Sequence, residues 1–149
     1  VVSNPPYRKL NSGRLNPNTE KAIARHEILI TLPELLENAF NLLCDDGKLV
    51  MIYLPERYDE LVCTMSNHGL IPKKIRFIYS NKNNNPKMFL IEGVKRKMNS
   101  PNPHCKGKKS DLIMHPLYIY DNDGNYTLEM QKIYDSFNNN RGANSDRKI

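Results

Sequence analysis

The sequence places a short motif, Asn4-Pro5-Pro6-Tyr7, directly after Val1-Val2-Ser3, which begins with two apolar residues. Two prolines restrain this backbone, so the Asn4 side-chain oxygen and the Pro5 carbonyl form a pair of neighbouring hydrogen-bond acceptors. Such a pair can hold both hydrogens of an amine whose lone pair is delocalised into an aromatic ring, and can favour the pyramidal geometry in which that amine attacks. The exocyclic N6 amine of adenine is an amine of this kind.

Tyr7 completes the motif with a flat ring on which an unstacked base can rest. No strongly basic residue is required, because the amine becomes acidic once it is methylated and can lose its proton to solvent. The alternative is that Asn4 to Tyr7 only make a turn, since each residue type favours turns or extended loops. The position of the motif, after a strand and before a series of helices and strands, favours the chemical interpretation.

The elements around the motif follow the pattern of an α/β fold. Val1 to Ser3 are typical of the end of a buried strand, and the polar stretch Arg8 to Thr19 is predicted to be an active-site loop. A short helix is expected over Glu20 to Ile30. A second helix should begin at Thr31-Leu32-Pro33-Glu34, which has the sequence of a capping box. Its packing face is predicted to contain the apolar residues Leu32, Leu35, Leu36, Ala39, Leu42 and Leu43.

The next elements predict the centre of a sheet. Lys48 to Leu54 form a nearly continuous apolar run bounded by turn signals, which is typical of a central parallel strand. Pro55 and Glu56 suit the start of a following helix, which Gly69 should end. Lys74 to Ser80 and Lys87 to Val94 then predict an antiparallel hairpin. A mixed sheet with helices is the expected architecture.

The C-terminal third is predicted to extend this domain. Residues 98–110 have the composition of a basic linker, and Leu117 to Tyr120 should form a short strand. A turn over 121–125 and a helix capped by Thr127 and running through Phe137 should follow. We therefore expect a catalytic portion over residues 1–97, an extension over 98–137 and a disordered tail over 138–149.

The charge of the chain favours a polyanionic partner. Its 22 Lys and Arg against 16 Asp and Glu give a net charge of +6, which is compatible with nucleic-acid binding but also with an ordinary basic surface. The excess is local, because residues 73–109 contain a single acid, Glu92. Backbone contacts with RNA are expected from Lys73, Lys74, Arg76, Lys95, Arg96 and Lys97, and from Arg14, Arg25 and His26, for which a solvated helix face is the alternative.

Other functional classes find little support. Cys44, Cys63 and Cys105 are widely spaced and have no metal-ligand pattern, so reduced thiols and no metal site are predicted. No apolar run is long enough to span a bilayer, and a cytoplasmic protein is expected. The turn Asp121-Asn122-Asp123-Gly124 lacks the spacing of a calcium loop.

In its motif and order of elements, the chain resembles the class I methyltransferases that carry an Asn-Pro-Pro-Tyr motif. More narrowly, it is similar to the bacterial tRNA(Val) adenine-N6 methyltransferases over roughly residues 1–134. The narrower resemblance rests on the segments Ser12-Gly13-Arg14-Leu15-Asn16-Pro17-Asn18, Ala24-Arg25-His26-Glu27 and Pro116-Leu117-Tyr118-Ile119-Tyr120.

This resemblance implies S-adenosylmethionine as methyl donor, tRNA as partner and adenine 37, beside the anticodon, as target. It implies that Asn4 to Tyr7 hold the target amine. It also implies the second half of a Rossmann-like sheet, with parallel strands and a terminal antiparallel hairpin. The family binds its donor with a glycine-rich loop and an acidic residue that precede the motif, and no Gly-x-Gly-x-x-Gly occurs in this sequence.

We therefore expect a chain that lacks the cofactor-binding first half and is inactive in isolation. Its Val1-Val2 strand should be an exposed apolar edge, to be covered by the missing half or by self-association. Two other functions stay open at this point: glutamine-N5 methylation of a protein, whose amide poses the same geometric problem, and a catalytically silent RNA-binding fragment.

Overall fold

The computed structural model describes residues 1–5, 30–96 and 112–142. The described elements are β1 (Val2–Ser3), α1 (Leu32–Leu42), β2 (Lys48–Tyr53), a 3-10 turn (Pro55–Arg57), α2 (Tyr58–Asn67), β3 (Leu70–Tyr79), β4 (Pro86–Lys95), β5 (Leu117–Tyr118) and α3 (Leu128–Gly142). The helix expected over Glu20 to Ile30 and the basic linker over 98–110 lie outside these residues, apart from Ile30, which is not helical.

The strands form one mixed sheet of five strands in the order β1-β2-β4-β3-β5. β1 is parallel to β2, and β5 is parallel to β3, whereas β4 runs antiparallel to both of its neighbours. As a result β1, β2, β3 and β5 all end where β4 begins, and we call this the carboxyl end of the sheet. The predicted α/β class, the parallel start and the antiparallel hairpin are confirmed.

The hairpin, however, is not the last part of the sheet. β3 pairs on its outer side with the segment after residue 111: the Ile75 N–H donates to the Leu112 carbonyl at 2.7 Å and the Met114 N–H donates to the Ile75 carbonyl at 2.7 Å. Backbone groups along an open strand edge need partners, and this segment supplies them. The C-terminal extension is therefore joined to the sheet that carries the motif.

Helix α1 begins as its sequence predicts. The Thr31 N–H donates to Glu34 Oε2 at 2.8 Å, the Glu34 N–H faces Thr31 Oγ1 at 3.5 Å, and Pro33 lies in the first turn. Leu32, Leu36 and Ala39 are buried. The prediction for Leu42 is wrong, since this side chain is 77% exposed; at 100° per residue it points away from the stripe that Leu43 continues.

The core lies between one face of the sheet and helices α1 and α2. Alternate residues of the strands point into it, and Leu61 and Met65 of α2 cover them. A Cβ at Gly93 would overlap the terminal methyl of Met65, so this glycine permits the close approach of α2 to β4. Gly69 ends α2 at a positive φ of 73°, which glycine adopts without strain.

Helix α3 is longer than predicted. Thr127 Oγ1 accepts from the Met130 N–H at 3.2 Å, which confirms the expected cap, but the helix continues to Gly142 instead of ending at Phe137. Residues 138–142 were expected in the disordered tail. Extending an established helix costs far less than starting one, so a polar segment without apolar periodicity can still propagate it. Residues 143–149 lie outside the described part of the chain.

The capping box generates a prediction about pH. The backbone N–H and then the hydroxyl of Thr31 lower the pKa of Glu34 from its ordinary value of 4.5. A lowered folded-state pKa stabilises the fold above the unfolded value, and this contribution is lost as pH falls through the folded value. Glu34→Gln keeps a hydrogen-bonding side chain but does not titrate. The difference in unfolding free energy between wild type and Glu34→Gln, measured with urea, should be constant near neutral pH and decrease below about pH 4.5.

The matched control is Glu37→Gln, which removes an exposed carboxylate of the same helix outside the capping box. A difference between wild type and Glu34→Gln that stays constant down to about pH 3 would contradict the role of the Glu34 carboxylate.

Candidate functional site

The structure places the start of the Asn-Pro-Pro-Tyr motif at the carboxyl end of the sheet. Val2 is in register with Val50 and Ser3 with Met51, and the Val50 N–H donates to the Val1 carbonyl at 2.9 Å. Asn4 and Pro5 follow at once, Asn4 exposed and Pro5 buried. Parallel strands of α/β folds present ligand-binding groups at this end, so the location suits a substrate grip.

Pro5 lies beside a layer of buried side chains. It lines a small crevice together with Leu32 and Leu35 of α1 and the Tyr53 ring at the end of β2. Tyr53 is fully buried and is in register with Phe89, with ring centroids 6.5 Å apart at 79°. The motif therefore has Pro5 anchored in the core and Asn4 exposed to solvent. This arrangement determines the positions of the two hydrogen-bond acceptors.

Arg57 supports this layer and was not anticipated from the sequence. Its guanidinium lies 5.2 Å from the Tyr53 ring centroid, and it donates to both carboxylate oxygens of Glu60, from Nε at 3.0 Å and from Nη2 at 2.9 Å. Arg57 is only 8% exposed. The sequence has an arginine three residues before a glutamate just after a strand, which is compatible with an ion pair. Many exposed helices have the same spacing, so it does not predict that the arginine is buried.

A second aromatic group lies on the core face at the same end. Tyr58 packs against Phe77 and Phe89 with centroid distances of 6.0 and 5.6 Å. Burial of its ring raises the pKa of Tyr58 above its ordinary value of 10.0, and the negative charge of Asp59 adds a smaller increase. The Tyr58 ring therefore packs on this aromatic layer with its phenol protonated at neutral pH.

Several predicted site residues fall outside the described part of the chain. They are Pro6 and Tyr7 of the motif and the predicted RNA contacts Arg14, Arg25, His26 and Lys97. Their roles stay predictions. The predicted contacts that the structure describes are Lys73, Lys74, Arg76, Lys95 and Arg96.

The structure does not gather those five residues around Asn4. Val94, the residue before Lys95, is in register with Lys48 at the start of β2. Ser3, the residue before Asn4, is in register with Met51 near the end of β2. At about 3.3 Å per strand residue, Lys95 and Arg96 lie roughly 17–20 Å along the strands from Asn4. They are at the opposite end of the sheet.

Lys95, a predicted RNA contact, has partners inside the protein. Its ammonium donates to the carbonyls of Phe40 at 2.9 Å and Leu43 at 2.7 Å and lies 4.3 Å from the Phe40 ring centroid. These carbonyls are at the C-terminal end of α1, where backbone acceptors lack partners in the helix and a cation is favoured by the helix dipole.

Arg76 is likewise used inside the protein. Its Nε donates to the His115 carbonyl at 3.0 Å and its Nη2 to Glu129 Oε1 at 2.6 Å, so it joins β3 to the extension and to α3. Lys74 is exposed, with its Nζ 4.0 Å from Glu92 Oε1, a separation that leaves it accessible. Lys73 is also exposed. Of the five predicted contacts that the structure describes, Lys73 and Lys74 are thus the best suited to contact an anion.

The described residues do not form a site for a methyl donor. No glycine-rich strand-to-helix loop occurs among them, and the full sequence contains no Gly-x-Gly-x-x-Gly. Among the same residues, no group of three or more His, Cys, Asp or Glu could hold a metal ion. Within the described helices, none is long and apolar enough to cross a bilayer. What the described residues provide is the exposed Asn4 beside the buried Pro5 at the carboxyl end of the sheet.

Comparison with known proteins finds sequence similarity to curated methyltransferases. A tRNA1(Val) (adenine(37)-N6)-methyltransferase of Parabacteroides distasonis is 30% identical over 114 residues, which are 76% of this chain and 45% of that protein. The enzyme of the same name from Porphyromonas gingivalis is 29% identical over 92 residues, 62% of this chain and 35% of that protein. No protein-family model matches the chain.

Comparison of structures supports the fold. A predicted O-methyltransferase from Agrobacterium tumefaciens superposes with a TM-score of 0.53 at 14% identity, over 70% of this chain and 45% of that one. The Rossmann-like arrangement expected from the sequence is thereby shown. The chain spans less than half the length of the curated relatives it matches, in agreement with the expectation that it corresponds to only part of such an enzyme. Over 76% of its length, the chain is thus similar to part of a tRNA1(Val) (adenine(37)-N6)-methyltransferase.

Proposed function

We propose that this chain is the substrate-holding portion of an S-adenosylmethionine-dependent methyltransferase that methylates the N6 amine of adenine in RNA, with adenine 37 of tRNA(Val) as its target. The observation that carries the proposal is the position of Asn4 and Pro5. Asn4 is exposed and Pro5 is buried, directly after a strand that ends at the carboxyl end of the sheet. The relatives of the chain carry this activity in their names.

In the proposed mechanism, Asn4 and the Pro5 carbonyl accept the two hydrogens of the target amine. Pro5 is anchored beside Tyr53, so its carbonyl keeps a fixed position relative to the Asn4 side chain. Acceptors that are already in place bind the pyramidal amine of the transition state better than the flat amine of free adenine. Tyr7, which follows the motif prolines, would support the face of the base.

We assign the methyl donor to residues outside this chain, because nothing in the sequence has the form of its binding loop. We propose that the exposed β1 strand binds the missing half of the enzyme or, when that half is absent, a second copy of this chain. Val2 is 84% exposed, and among the described strands β1 has a neighbour on one side only. We further propose residues 1–97 as catalytic portion, 98–137 as extension and the cytoplasm as location.

Asn4 generates a prediction about catalysis. In the product of the complete reading frame, Asn4→Ala removes one acceptor, and kcat for methyl transfer from labelled S-adenosylmethionine to total tRNA should fall by about 10²-fold or more, with a smaller change in KM. Asn38→Ala is the matched control, because the Asn38 amide only donates to the Glu34 carbonyl on the surface of α1.

Nucleoside digests of the labelled tRNA should contain N6-methyladenosine. Transfer to a release-factor glutamine in place of tRNA would replace the proposal by protein methylation, and an inactive complete product that still binds tRNA would replace it by a silent RNA-binding function. An Asn4→Ala enzyme with wild-type kcat would remove the motif from the mechanism.

The incomplete site generates a prediction about the chain of 149 residues by itself. Isothermal titration with S-adenosylmethionine should give no binding in the micromolar range, because the donor loop is missing. Sedimentation should show association, because the β1 strand leaves backbone groups and Val2 uncovered along one side. Micromolar donor binding, or a monodisperse monomer with a cooperative melt, would contradict the incomplete site.

The lysines are expected to separate into two groups. The double variant Lys73→Gln with Lys74→Gln should weaken tRNA binding and reduce the slope of log K against log salt by about 0.7 to 0.9 for each phosphate that is no longer neutralised. Lys95→Met is the control and should change stability but not RNA binding. It removes the hydrogen bonds from Lys95 to the C-terminal carbonyls of α1, so the unfolding free energy should fall by about 1 kcal/mol while the salt slope of tRNA binding stays unchanged. A reduced salt slope in Lys95→Met would contradict its assignment to the fold.

A further inference from the structure

A cluster of tyrosines occupies the carboxyl end of the sheet on the side far from the motif. The chain has 8 tyrosines and no tryptophan. Those that surround β5 and α3 are Tyr79, Tyr118, Tyr120, Tyr126 and Tyr134. The rings of Tyr120 and Tyr126 are stacked at 5.4 Å and 12°, and Tyr134 follows Tyr126 at 6.1 Å and 30°. We call Tyr120, Tyr126 and Tyr134 the tyrosine stack.

The tyrosine stack is exposed although it is aromatic. Tyr120 is 40%, Tyr126 43% and Tyr134 49% exposed. Packing of the described core does not account for rings in this position, since they lie outside the buried cluster between the sheet and helices α1 and α2. Exposed, mutually stacked aromatic rings are more typical of a binding surface than of a fold requirement.

The turn between Tyr120 and Tyr126 is held by hydrogen bonds, and Tyr134 follows in helix α3. Asp121 Oδ1 accepts from the Asp123 and Asn125 N–H groups, both at 2.9 Å, and the Asp121 N–H donates to the Asn125 carbonyl at 2.9 Å. Thr127 Oγ1 donates to the Tyr118 carbonyl at 2.7 Å, which ties the start of α3 to β5. A ligand would therefore find these rings already placed, and binding would cost little ordering entropy.

A groove of about 470 Å³ opens beside the stack. Tyr118, Tyr120, Tyr126 and Thr127 line it, together with the exposed Lys82 of the β3–β4 connection. Two acids also line it, but both are engaged: Glu129 pairs with Arg76 at 2.6 Å, and Asp121 accepts the two N–H groups of its own turn. The groove thus offers aromatic faces and an ammonium, while the Thr127 hydroxyl is engaged with the Tyr118 carbonyl and the Met130 N–H.

The stack and the motif lie at the same end of the sheet. β1 and β5 are its outer strands and are separated by β2, β4 and β3. Four strand spacings of about 4.8 Å give roughly 19 Å between Asn4 and the stack. At about 3.4 Å per stacked nucleotide, that distance corresponds to about five or six nucleotides of a stacked single strand.

From these observations we propose that the tyrosine stack and Lys82 form a docking surface for unpaired RNA bases a few nucleotides from the target adenine. This inference rests on the proposed function and adds a second binding point to it. A base stacks on an exposed tyrosine face whatever its identity, and Lys82 contacts the adjoining phosphate. The surface positions the RNA and leaves the choice of target to the motif.

The experiment uses the absence of tryptophan. Tyrosine emission of the 149-residue chain is followed during titration with single-stranded oligoadenylate of eight nucleotides, and competition with a duplex of equal length is measured in parallel. We expect quenching that saturates, and weaker binding of the duplex. Tyr120→Ala and Tyr126→Ala should each raise Kd about tenfold, since base stacking is worth about 1–3 kcal/mol per base.

The conservative variants Tyr120→Phe and Tyr126→Phe keep the rings and should bind within about twofold of wild type. Leu42→Ala is the control for truncation of an exposed apolar side chain, because Leu42 is 77% exposed on α1. Urea unfolding of each variant separates loss of binding from loss of fold.

Unchanged Kd in both alanine variants overturns the proposal, and so does an absence of oligoadenylate binding by wild type. Equal affinity for the duplex, or a proline-rich peptide that binds more tightly than oligoadenylate, also overturns it. These results are independent of the test of the proposed function. If the tyrosine variants bind oligoadenylate normally, the proposal that Asn4 acts in methyl transfer is unaffected. If methyl transfer fails, the proposal of a tyrosine-dependent RNA surface is unaffected.

Discussion

The position of β4 is the constraint on which the rest of the structure depends. β4 lies between β2 and β3 and pairs antiparallel with both over most of its length. Because it runs against its neighbours, β1, β2, β3 and β5 are brought into one direction and end together. Its buried residues Phe89, Ile91 and Gly93 also receive helices α1 and α2. A one-residue slip of β4 would turn these side chains to the other face and dissolve the core.

The same pairing builds the support of the candidate site. Tyr53, Phe89 and Phe77 are in register across β2, β4 and β3, so three aromatic rings form a row just below the carboxyl end. Pro5 lies at one end of this row and the extension adds Tyr118 beyond the other. Two exposed groups of different chemistry, an amide at Asn4 and the tyrosine stack, are therefore attached to one rigid layer.

The basic residues illustrate why charge in a sequence is an incomplete guide to binding. Lys73, Lys74, Arg76 and Lys95 have similar local sequences, yet their surroundings differ. Lys95 reaches carbonyls at the end of α1, and Arg76 joins β3 to Glu129. A buried or half-buried acceptor without a partner is costly, so nearby long cations are recruited to satisfy it. Lys73 and Lys74, which are exposed, remain for a polyanion.

Local rules determined much of this protein from its sequence. Five features depend on residues that are neighbours in the chain, and each was predictable. They are the capping box at Thr31 and Glu34, the apolar run of β2, the glycine at the end of α2, the hairpin and the motif after β1. The tertiary structure decided the use of Lys95 and Arg76 inside the fold and the gathering of five tyrosines at β5. These features depend on contacts between residues far apart in sequence, such as Phe40 and Lys95 or Arg76 and Glu129, and no local pattern records which distant group a long side chain will meet.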